Sequence, residues 1–363
     1  MIKERKEALD LAVSWLLKSI DPATGGSRAN YSVLFNGFKG WSGPYPETTG
    51  YIIPTFLNIA AKFKELNMLP DKALKMGEWL LTLQFDDGAF PADIYYANKV
   101  RQKSIFNTGQ IILGLTSLYD FTKDTRYLDS TSRAANWLVK NQSDDGTWPE
   151  YNYVNGFSPS YYSRVAWPLL KVYARDNDQV FKEAAVKNLR SIQKRQLSNG
   201  FIEGSGFQPD SYVFLHTLAY TIRGFLESAL LLDDQDLWDS GYRFAEKIFR
   251  KFELKKQLYG AYYSDFTGVM WYQCLTGNVQ IAIIWLKIYQ RTGDARFLSA
   301  ASKAIDVVVR YQVKNSFDGN RIGAVAGSAP VFGRYMFFRY PNWAVKFLAD
   351  ALLLEDQALQ TLS

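Results

Sequence analysis

The chain has 363 residues, of which 47% are hydrophobic and 21% charged, as in a globular protein with a sizeable core. The 42 Lys and Arg residues exceed the 36 Asp and Glu residues only slightly and form no basic block, which argues against nucleic acid but agrees with an acidic ligand. A single Cys and a single His exclude an intrachain disulfide, a zinc-thiolate cluster and a multi-histidine metal site.

We therefore expect neither a metal nor a cofactor. The chain starts with an amphipathic helix, and no apolar run reaches the roughly 18 residues of a membrane span. These features predict a cytoplasmic protein without a membrane span, whose oligomeric state the sequence leaves open.

One phrase is repeated along the chain, consisting of a helix end, a glycine turn and an aromatic stretch. It reads WLVKNQSDDGTW at 137–148 and WLLTLQFDDGAF at 79–90, with weaker copies at 192–201 and 311–319. The predicted turn glycines recur about every 60 residues, the length of one long helical hairpin with its loops: Gly26, Gly88, Gly146, Gly200, Gly260 and Gly319.

Helical spacing of apolar residues predicts six helix pairs in chain order. The first helices are expected at approximately 5–20, 72–84, 128–142, 181–196, 239–254 and 297–312. The second helices are expected at approximately 48–66, 107–121, 162–175, 215–232, 276–290 and 341–354.

The links between these helices alternate in length. Each second helix is followed by a short turn in which Asp or Thr suits an N-cap, as at 122–125 and 292–294. Each first helix is followed by a long link, and long structured loops are usually functional. All six long links must emerge at one end of the assembly, which we call the mouth.

The second helices are apolar nearly all round, which is typical of buried helices, whereas the first helices carry a basic face. Six inner and six outer helices in antiparallel pairs predict an all-α fold, an (α/α)6 toroid of six hairpins. No linker or composition break appears, so residues 1–363 are expected to form one domain.

Two known groups resemble this pattern. The phrase at 133–148 resembles the QW repeat of terpenoid cyclases and prenyltransferases. Six hairpins with aromatic loops at one end look more like the six-hairpin glycosidase superfamily of glycoside hydrolases, glucuronyl hydrolases, related lyases and sugar epimerases. That resemblance implies a carbohydrate substrate.

Terpenoid chemistry is disfavoured by the position of the acidic residues. Class II cyclases need an Asp-rich motif inside the cavity, but the cluster at 233–239 falls on a short turn away from the mouth. The zinc site of protein prenyltransferases also needs a pattern that Cys274 and His216 do not offer.

The starts of the inner helices supply the candidate substrate-binding residues. Six helix N-termini at the mouth would favour an anionic group such as a uronate carboxylate. Thr-Gly pairs at 49–50, 108–109 and 276–277 indicate capping and close backbone packing. The side chains expected to face substrate at these starts are Tyr51, Gln110, Tyr162, Arg164, Tyr220, Asn278, Asn342 and Trp343.

Catalytic carboxylates are sought among the loop residues that do not recur, because glycoside hydrolysis usually uses two of them. Asp residues before the repeated glycines are interpreted as turn formers. The remaining candidates are Glu47, Glu203, Asp210 and Asp265. Hydrolysis of an acidic oligo- or polysaccharide is accordingly the leading hypothesis.

His216 opens a second interpretation. With a tyrosine and Arg164 it would suit proton abstraction beside a carboxylate, as in uronate lyases and C5-epimerases. A third interpretation is a non-catalytic toroid that binds glycan or protein at its mouth.

Loop aromatics such as Trp148 and Tyr263 outnumber what turn packing needs, and aromatic rings stack on sugar faces. The last loop, 323–339, carries Arg334 and is expected to act as a lid.

Overall fold

The computed structural model describes residues 1–34, 40–209, 212–269 and 271–361. Within those ranges the chain forms twelve α-helices, in agreement with the six predicted pairs. No helix there is long and apolar enough to cross a membrane.

The helices alternate between an outer and an inner ring. The outer helices are α1 (Lys3–Ser19), α3 (Leu69–Leu83), α5 (Thr125–Lys140), α7 (Gln179–Gln193), α9 (Gln235–Lys255) and α11 (Ala295–Tyr311). The inner helices are α2 (Pro46–Lys62), α4 (Ile105–Thr122), α6 (Ser163–Asp176), α8 (Leu215–Leu232), α10 (Leu275–Thr292) and α12 (Asn342–Gln360). Each inner helix packs against the next, and α12 packs against α2, so the inner ring closes. The predicted toroid is confirmed.

Four of the short turns share one local design. The inner helix ends at a residue in the left-handed conformation, which is Lys123, Asn177, Asp233 or Gly293. The next residue is an Asp whose side chain accepts a hydrogen bond from a backbone N–H of the following outer helix. This N-cap satisfies an otherwise unpaired donor and confirms the predicted role of these aspartates.

A glutamine and a glycine from the repeated phrase join neighbouring hairpins. Gln142 Nε2 donates to the Gly146 carbonyl at 3.2 Å and to the Ala184 carbonyl of the next outer helix at 2.9 Å. Gly146 has φ +84°, and a Cβ on it would lie 2.5 Å from the Lys187 carbonyl oxygen. Both features let the turn lie directly on the neighbouring helix.

The same arrangement recurs from Gln84 to Ser130 and from Gln196 to Ser240. It also closes the ring, because Gln312 Nε2 donates to the Ala8 carbonyl of α1 at 3.1 Å and to the Gly323 carbonyl at 3.2 Å. The Arg5 guanidinium strengthens this closing seam through Glu355 of α12, with Nε at 2.8 Å from the carboxylate.

Three of the six predicted turn glycines are corrected by this geometry. In the sixth hairpin the left-handed glycine against α1 is Gly323, with φ +93°, and not Gly319, which has open space around it. In the first hairpin the glycine with left-handed backbone is Gly25 and not Gly26. Gly260 does not adopt a positive φ; instead a Cβ there would meet the ring of Tyr272. The first and sixth turns each contain a second glycine within four residues, and spacing alone selected the wrong one of the two.

The long links at the mouth are joined by short strands. These are β1 (Asn30–Ser32), β2 (Gly40–Trp41), β3 (Val213–Phe214), β4 (Ala261–Tyr262), β5 (Gln273–Cys274), β6 (Ser328–Ala329) and β7 (Arg339–Pro341). The antiparallel order is β2-β1-β7, β3-β4 and β5-β6, so every pair except β1-β2 joins loops of different hairpins. Strand pairing therefore joins four of the six long links at the mouth.

Candidate active site

The inner-helix starts bring polar side chains together inside the mouth. We call this set the central cluster: Glu47, Tyr51, Gln110, Arg164, His216, Tyr220, Gln280 and Tyr335. Each of these side chains is almost completely screened from solvent. They come from α2, α4, α6, α8 and α10 and from the last long loop.

Glu47 lies at the second position of α2, beyond Pro46, where a carboxylate also benefits from the helix dipole. The side chain is only 7% exposed. Burial raises its pKa from 4.5 to about 7, although the Tyr45 hydroxyl and the Arg164 guanidinium act in the opposite direction. Near neutral pH this carboxyl is thus divided between its acid and base forms, as a proton-transfer group requires.

Arg164 is held rigidly next to this carboxyl. Its Nη2 and Nε donate to Gln110 Oε1 at 2.7 and 3.2 Å, and Gln110 Nε2 donates back to the Arg164 carbonyl at 2.9 Å. The guanidinium also lies over the Tyr220 ring, 4.7 Å from its centroid. Nη1 is buried without a hydrogen-bond partner. A buried cationic donor of this kind is costly unless an anion satisfies it.

His216 is buried as a neutral ring. Its Nδ1 lies 2.8 Å from Gln280 Oε1, and since that oxygen accepts, Nδ1 carries the proton and Nε2 is the free acceptor. The ring lies 4.3 Å from that of Tyr220 and 5.1 Å from that of Tyr335, between centroids. Burial lowers the pKa of His216 to about 3, and the nearby Arg164 adds to this effect. The imidazole is consequently a weak base in these buried surroundings.

Further cations lie below this level along the toroid axis. Arg223 is two turns along α8 from His216, and its guanidinium and that of Arg164 both contact Trp167, at 5.4 and 5.1 Å from the ring. Arg223 Nη1 is also buried without a partner. Lys346 of α12 lies 5.3 Å from the Tyr51 ring, and burial lowers its pKa to about 8 in spite of Asp350. Glu227 pairs with Arg223 at 3.3 Å and Asp350 pairs with Lys346, so these carboxylates offset part of the positive charge at the base of the cluster.

Other predicted residues have structural surroundings. Trp148 is fully buried and its Nε1 donates to the Leu138 carbonyl at 2.8 Å, while the Tyr162 hydroxyl bonds Asn152 Oδ1 at 2.5 Å. Asn342 Nδ2 bonds Ser27, Arg28 and Thr48, and Asn278 Nδ2 bonds Gln273. These four side chains hold loops against the inner ring.

Glu203 and Asp265 do not join Glu47. Glu203 is exposed, and its described hydrogen bonds are made by the backbone: the N–H donates to the Arg195 carbonyl and the carbonyl accepts from Ser160. Asp265 is exposed and caps the Thr267 N–H at 2.7 Å. Asp210 lies outside the described residues. Tyr263 and Arg334 lie at the outer surface of the mouth, and Trp343 reaches the cluster through a 2.8 Å bond from Nε1 to the Tyr335 hydroxyl.

Sequence reasoning missed Arg223, Gln280 and Lys346 and did not place Tyr335 in the site. A usable signal was present for the two cations: both lie on largely apolar inner helices, in helical register with His216 and Trp343. Tyr335 carried no such signal, because its position depends on the path of a long loop.

Comparison with known proteins supports the fold that carries this site. No family model matches the chain, and no curated protein sequence matches it. Solved structures do. An unsaturated glucuronyl hydrolase specific for heparin aligns with a TM-score of 0.73 at 13% identity, over 98% of both chains.

A sugar epimerase from a ruminal bacterium aligns with a TM-score of 0.74 at 13% identity, over 96% of this chain and 97% of the other. The cellobiose 2-epimerase of Spirochaeta thermophila aligns with a TM-score of 0.72 at 11% identity, over 99% and 98%. The chain has the fold of the six-hairpin glycosidase-like toroids. At these identities the likeness establishes the fold alone.

Proposed function

We propose that the chain is a carbohydrate-active enzyme that hydrolyses a uronate-containing oligosaccharide, with Glu47 as its acid–base group. The observation that carries this proposal is the buried Glu47 carboxyl, whose pKa of about 7 allows it to give or take a proton near neutral pH. The matching solved structures include glycoside hydrolases and sugar epimerases, which supports a saccharide substrate.

The acidic substrate is inferred from unpaired donors. Arg164 Nη1 and Arg223 Nη1 are both buried without a hydrogen-bond partner. Both guanidinium groups contact Trp167, so the two donors belong to one region. A uronate carboxylate would satisfy these donors.

The number of carboxylates selects the type of hydrolysis. Most glycosidases use two, whereas Glu47 is the one carboxylate of the central cluster; Glu227, deeper on α8, is held in ion pairs with Arg223 and Lys287. One acid–base group suffices for an unsaturated uronate: protonation of its C4=C5 bond leaves a cation at C5 stabilised by the ring oxygen, water adds there, and the ring then opens with release of the neighbouring sugar. Two of the matching structures are unsaturated glucuronyl hydrolases, which supports this choice.

Elimination or C5-epimerisation by Tyr/His/Arg is the second candidate, favoured by the contact of His216 with Tyr220. The protonation states oppose it. Burial raises the pKa of Tyr220 well above its usual value, so the phenolate is rare, and His216 with a pKa of about 3 attracts protons weakly. Glu47 remains the better proton-transfer group.

A panel of unsaturated uronyl disaccharides and saturated polyuronates tests the proposal. Falling absorbance of the conjugated double bond reports hydration and hydrolysis, while rising absorbance reports elimination. Glu47→Gln is expected to lower the rate by roughly 10²- to 10⁴-fold, the usual contribution of general acid–base catalysis. Glu150→Gln, an exposed loop glutamate at the same mouth, is the matched control and should keep wild-type activity.

Full activity of Glu47→Gln would remove this residue from the mechanism. Rising absorbance that depends on His216 would instead establish the elimination candidate. Binding without turnover of any glycan in the panel would favour a non-catalytic glycan-binding toroid.

A further inference from the structure

One sector of the mouth, outside the central cluster, carries exposed aromatic side chains next to an exposed arginine. Tyr263 is 49% exposed and Trp271 is 50% exposed, although both rings are large and apolar. Tyr212 lies 6.2 Å from Tyr263 between ring centroids, and Arg334 Nη1 donates to the Tyr212 hydroxyl at 3.3 Å. We call Tyr212, Tyr263, Trp271 and Arg334 the aromatic platform.

Three loops from three different hairpins hold this platform in place. β3 pairs with β4 beside Tyr212 and Tyr263, and β5 pairs with β6 between Trp271 and Arg334. Trp271 packs on Tyr272 at 4.7 Å between centroids, and Gly333 lies so close to Tyr272 that its Cβ would be 3.0 Å from that residue's Cβ. The exposed rings are thus fixed on a paired backbone, which reduces the entropy cost of binding.

A run of ring contacts connects the platform to the buried site. Tyr212 lies 5.5 Å from Phe214, Phe214 lies 5.5 Å from Tyr335, and Tyr335 lies 5.1 Å from His216, all between centroids. The platform and the central cluster therefore share one side of the mouth. A saccharide chain that enters the cluster can extend across these rings.

We infer that the aromatic platform is a distal subsite that binds another sugar unit of the same acidic glycan. Half-exposed tyrosine and tryptophan rings offer faces for the C–H surface of a sugar, and the Arg334 guanidinium is exposed to pair with a carboxylate. A fixed patch of exposed aromatics with a cation is typical of a binding surface. The inference rests on the proposed function for the identity of the glycan, and it extends the substrate from a disaccharide to a longer chain.

Affinity electrophoresis in gels containing polygalacturonate, alginate or hyaluronan tests the subsite without requiring turnover. At least one of these polymers should retard the wild-type protein, and Trp271→Ala and Arg334→Ala should each weaken the retardation by roughly three- to tenfold, the range for one aromatic or charged contact. Tyr311→Ala is the matched control, because that ring is 48% exposed on the outer helix α11, and it should behave as wild type.

Neutral hydroxyethyl cellulose should retard all variants less than the acidic polymers do. Retardation that Trp271→Ala and Arg334→Ala leave unchanged, or no retardation by any polyuronate, would overturn the subsite. Either result leaves the disaccharide assay with Glu47→Gln untouched, so failure of the subsite and failure of the proposed function are distinguishable.

Discussion

At the scale of single residues, Glu47 gains its raised pKa from burial, because its charged and hydroxyl neighbours only partly offset the cost of removing a carboxylate from water. An acid whose pKa rises on folding is neutral in both states at low pH. At pH values above the pKa of the unfolded state, folding requires the carboxylate either to take up a proton or to be buried as a charge. The contribution of Glu47 to the stability of the wild-type protein therefore falls as pH rises from about 4.5 to about 7.

Glu47→Gln should remove this loss. We expect the variant to match the wild type near pH 4 and to be more stable above pH 7, by on the order of 3 kcal/mol if glutamine fits the same space. Chemical denaturation of both proteins across this pH range measures the difference. A constant difference at every pH would mean that Glu47 is not buried as an acid.

His216 offers a direct test of the closed cluster, since it is the single histidine of the chain. Its pKa of about 3 predicts that its Cε1–H resonance keeps one chemical shift from about pH 5 to about pH 8. Burial favours the neutral ring, so the contribution of His216 to stability falls as pH drops below its ordinary pKa of 6.5. A midpoint near 6.5 would show that water reaches the ring.

Single residues were the least predictable part of the molecule. Glu47, Arg164 and His216 were found because each stands at the start of an inner helix, a position that periodicity fixes. Glu203 was selected because it does not recur, a property that says nothing about where a loop side chain points. The positions of Tyr335 and of the aromatic platform depend on strand pairs between loops. Strands of two residues leave no recognisable pattern in the sequence.

At the scale of elements, the inner helices pack at backbone distance. Gly114 of α4 faces Gly50 of α2, and a Cβ on Gly114 would lie 2.2 Å from the Gly50 carbonyl oxygen. Thr49 and Thr108 support the same geometry, each donating to the carbonyl four residues earlier and accepting a loop N–H. The predicted close packing at these two Thr-Gly pairs is confirmed, but the predicted capping is wrong: Ser104 caps α4, and the N-cap residue of α2, Tyr45, makes no side-chain cap bond.

Gly114→Ala should therefore force α2 and α4 apart. We expect a loss of about 1–3 kcal/mol or more in the free energy of unfolding, the usual cost of overpacking a tight contact. Gly319→Ala is the control, because a Cβ there meets nothing within 4 Å, and it should change stability by less than about 0.5 kcal/mol. Urea denaturation compares them, and equal stabilities would contradict the close approach.

The elements themselves were largely predictable. The second helix of the fourth pair begins and ends where expected, at 215 and 232, and most other ends differ by a few residues. The inner helices are apolar nearly all round, and the Asp residues of the short turns cap the outer helices that follow. Local sequence and position in the fold therefore agree. The wrong choice among neighbouring glycines shows the limit, because only contact with the next helix distinguishes Gly323 from Gly319.

At the scale of the whole molecule, the contact between the first and last hairpins is of the same kind as the contacts inside the repeat. The Gln312 side chain donates a hydrogen bond to a carbonyl of α1, just as the Gln142 side chain does to a carbonyl of α7. Gln312→Ala and Gln142→Ala should accordingly cost similar amounts, about 1–3 kcal/mol each, because each variant loses two hydrogen bonds worth about 0.5–1.5 kcal/mol apiece. Both variants should unfold in one transition by circular dichroism, whereas a separate early transition for Gln312→Ala would mark the closing seam as a weak edge.

An open stack of repeats can gain or lose a unit at either end, since its stability is a sum over neighbours. A closed ring has no such end. Each hairpin must turn the chain by about a sixth of a circle. A seventh hairpin would change this angle and disturb the contact between every two neighbouring hairpins. The number of hairpins is thus fixed by geometry, and change is confined to the long links at the mouth. The molecule can acquire new substrates without altering the frame that presents them.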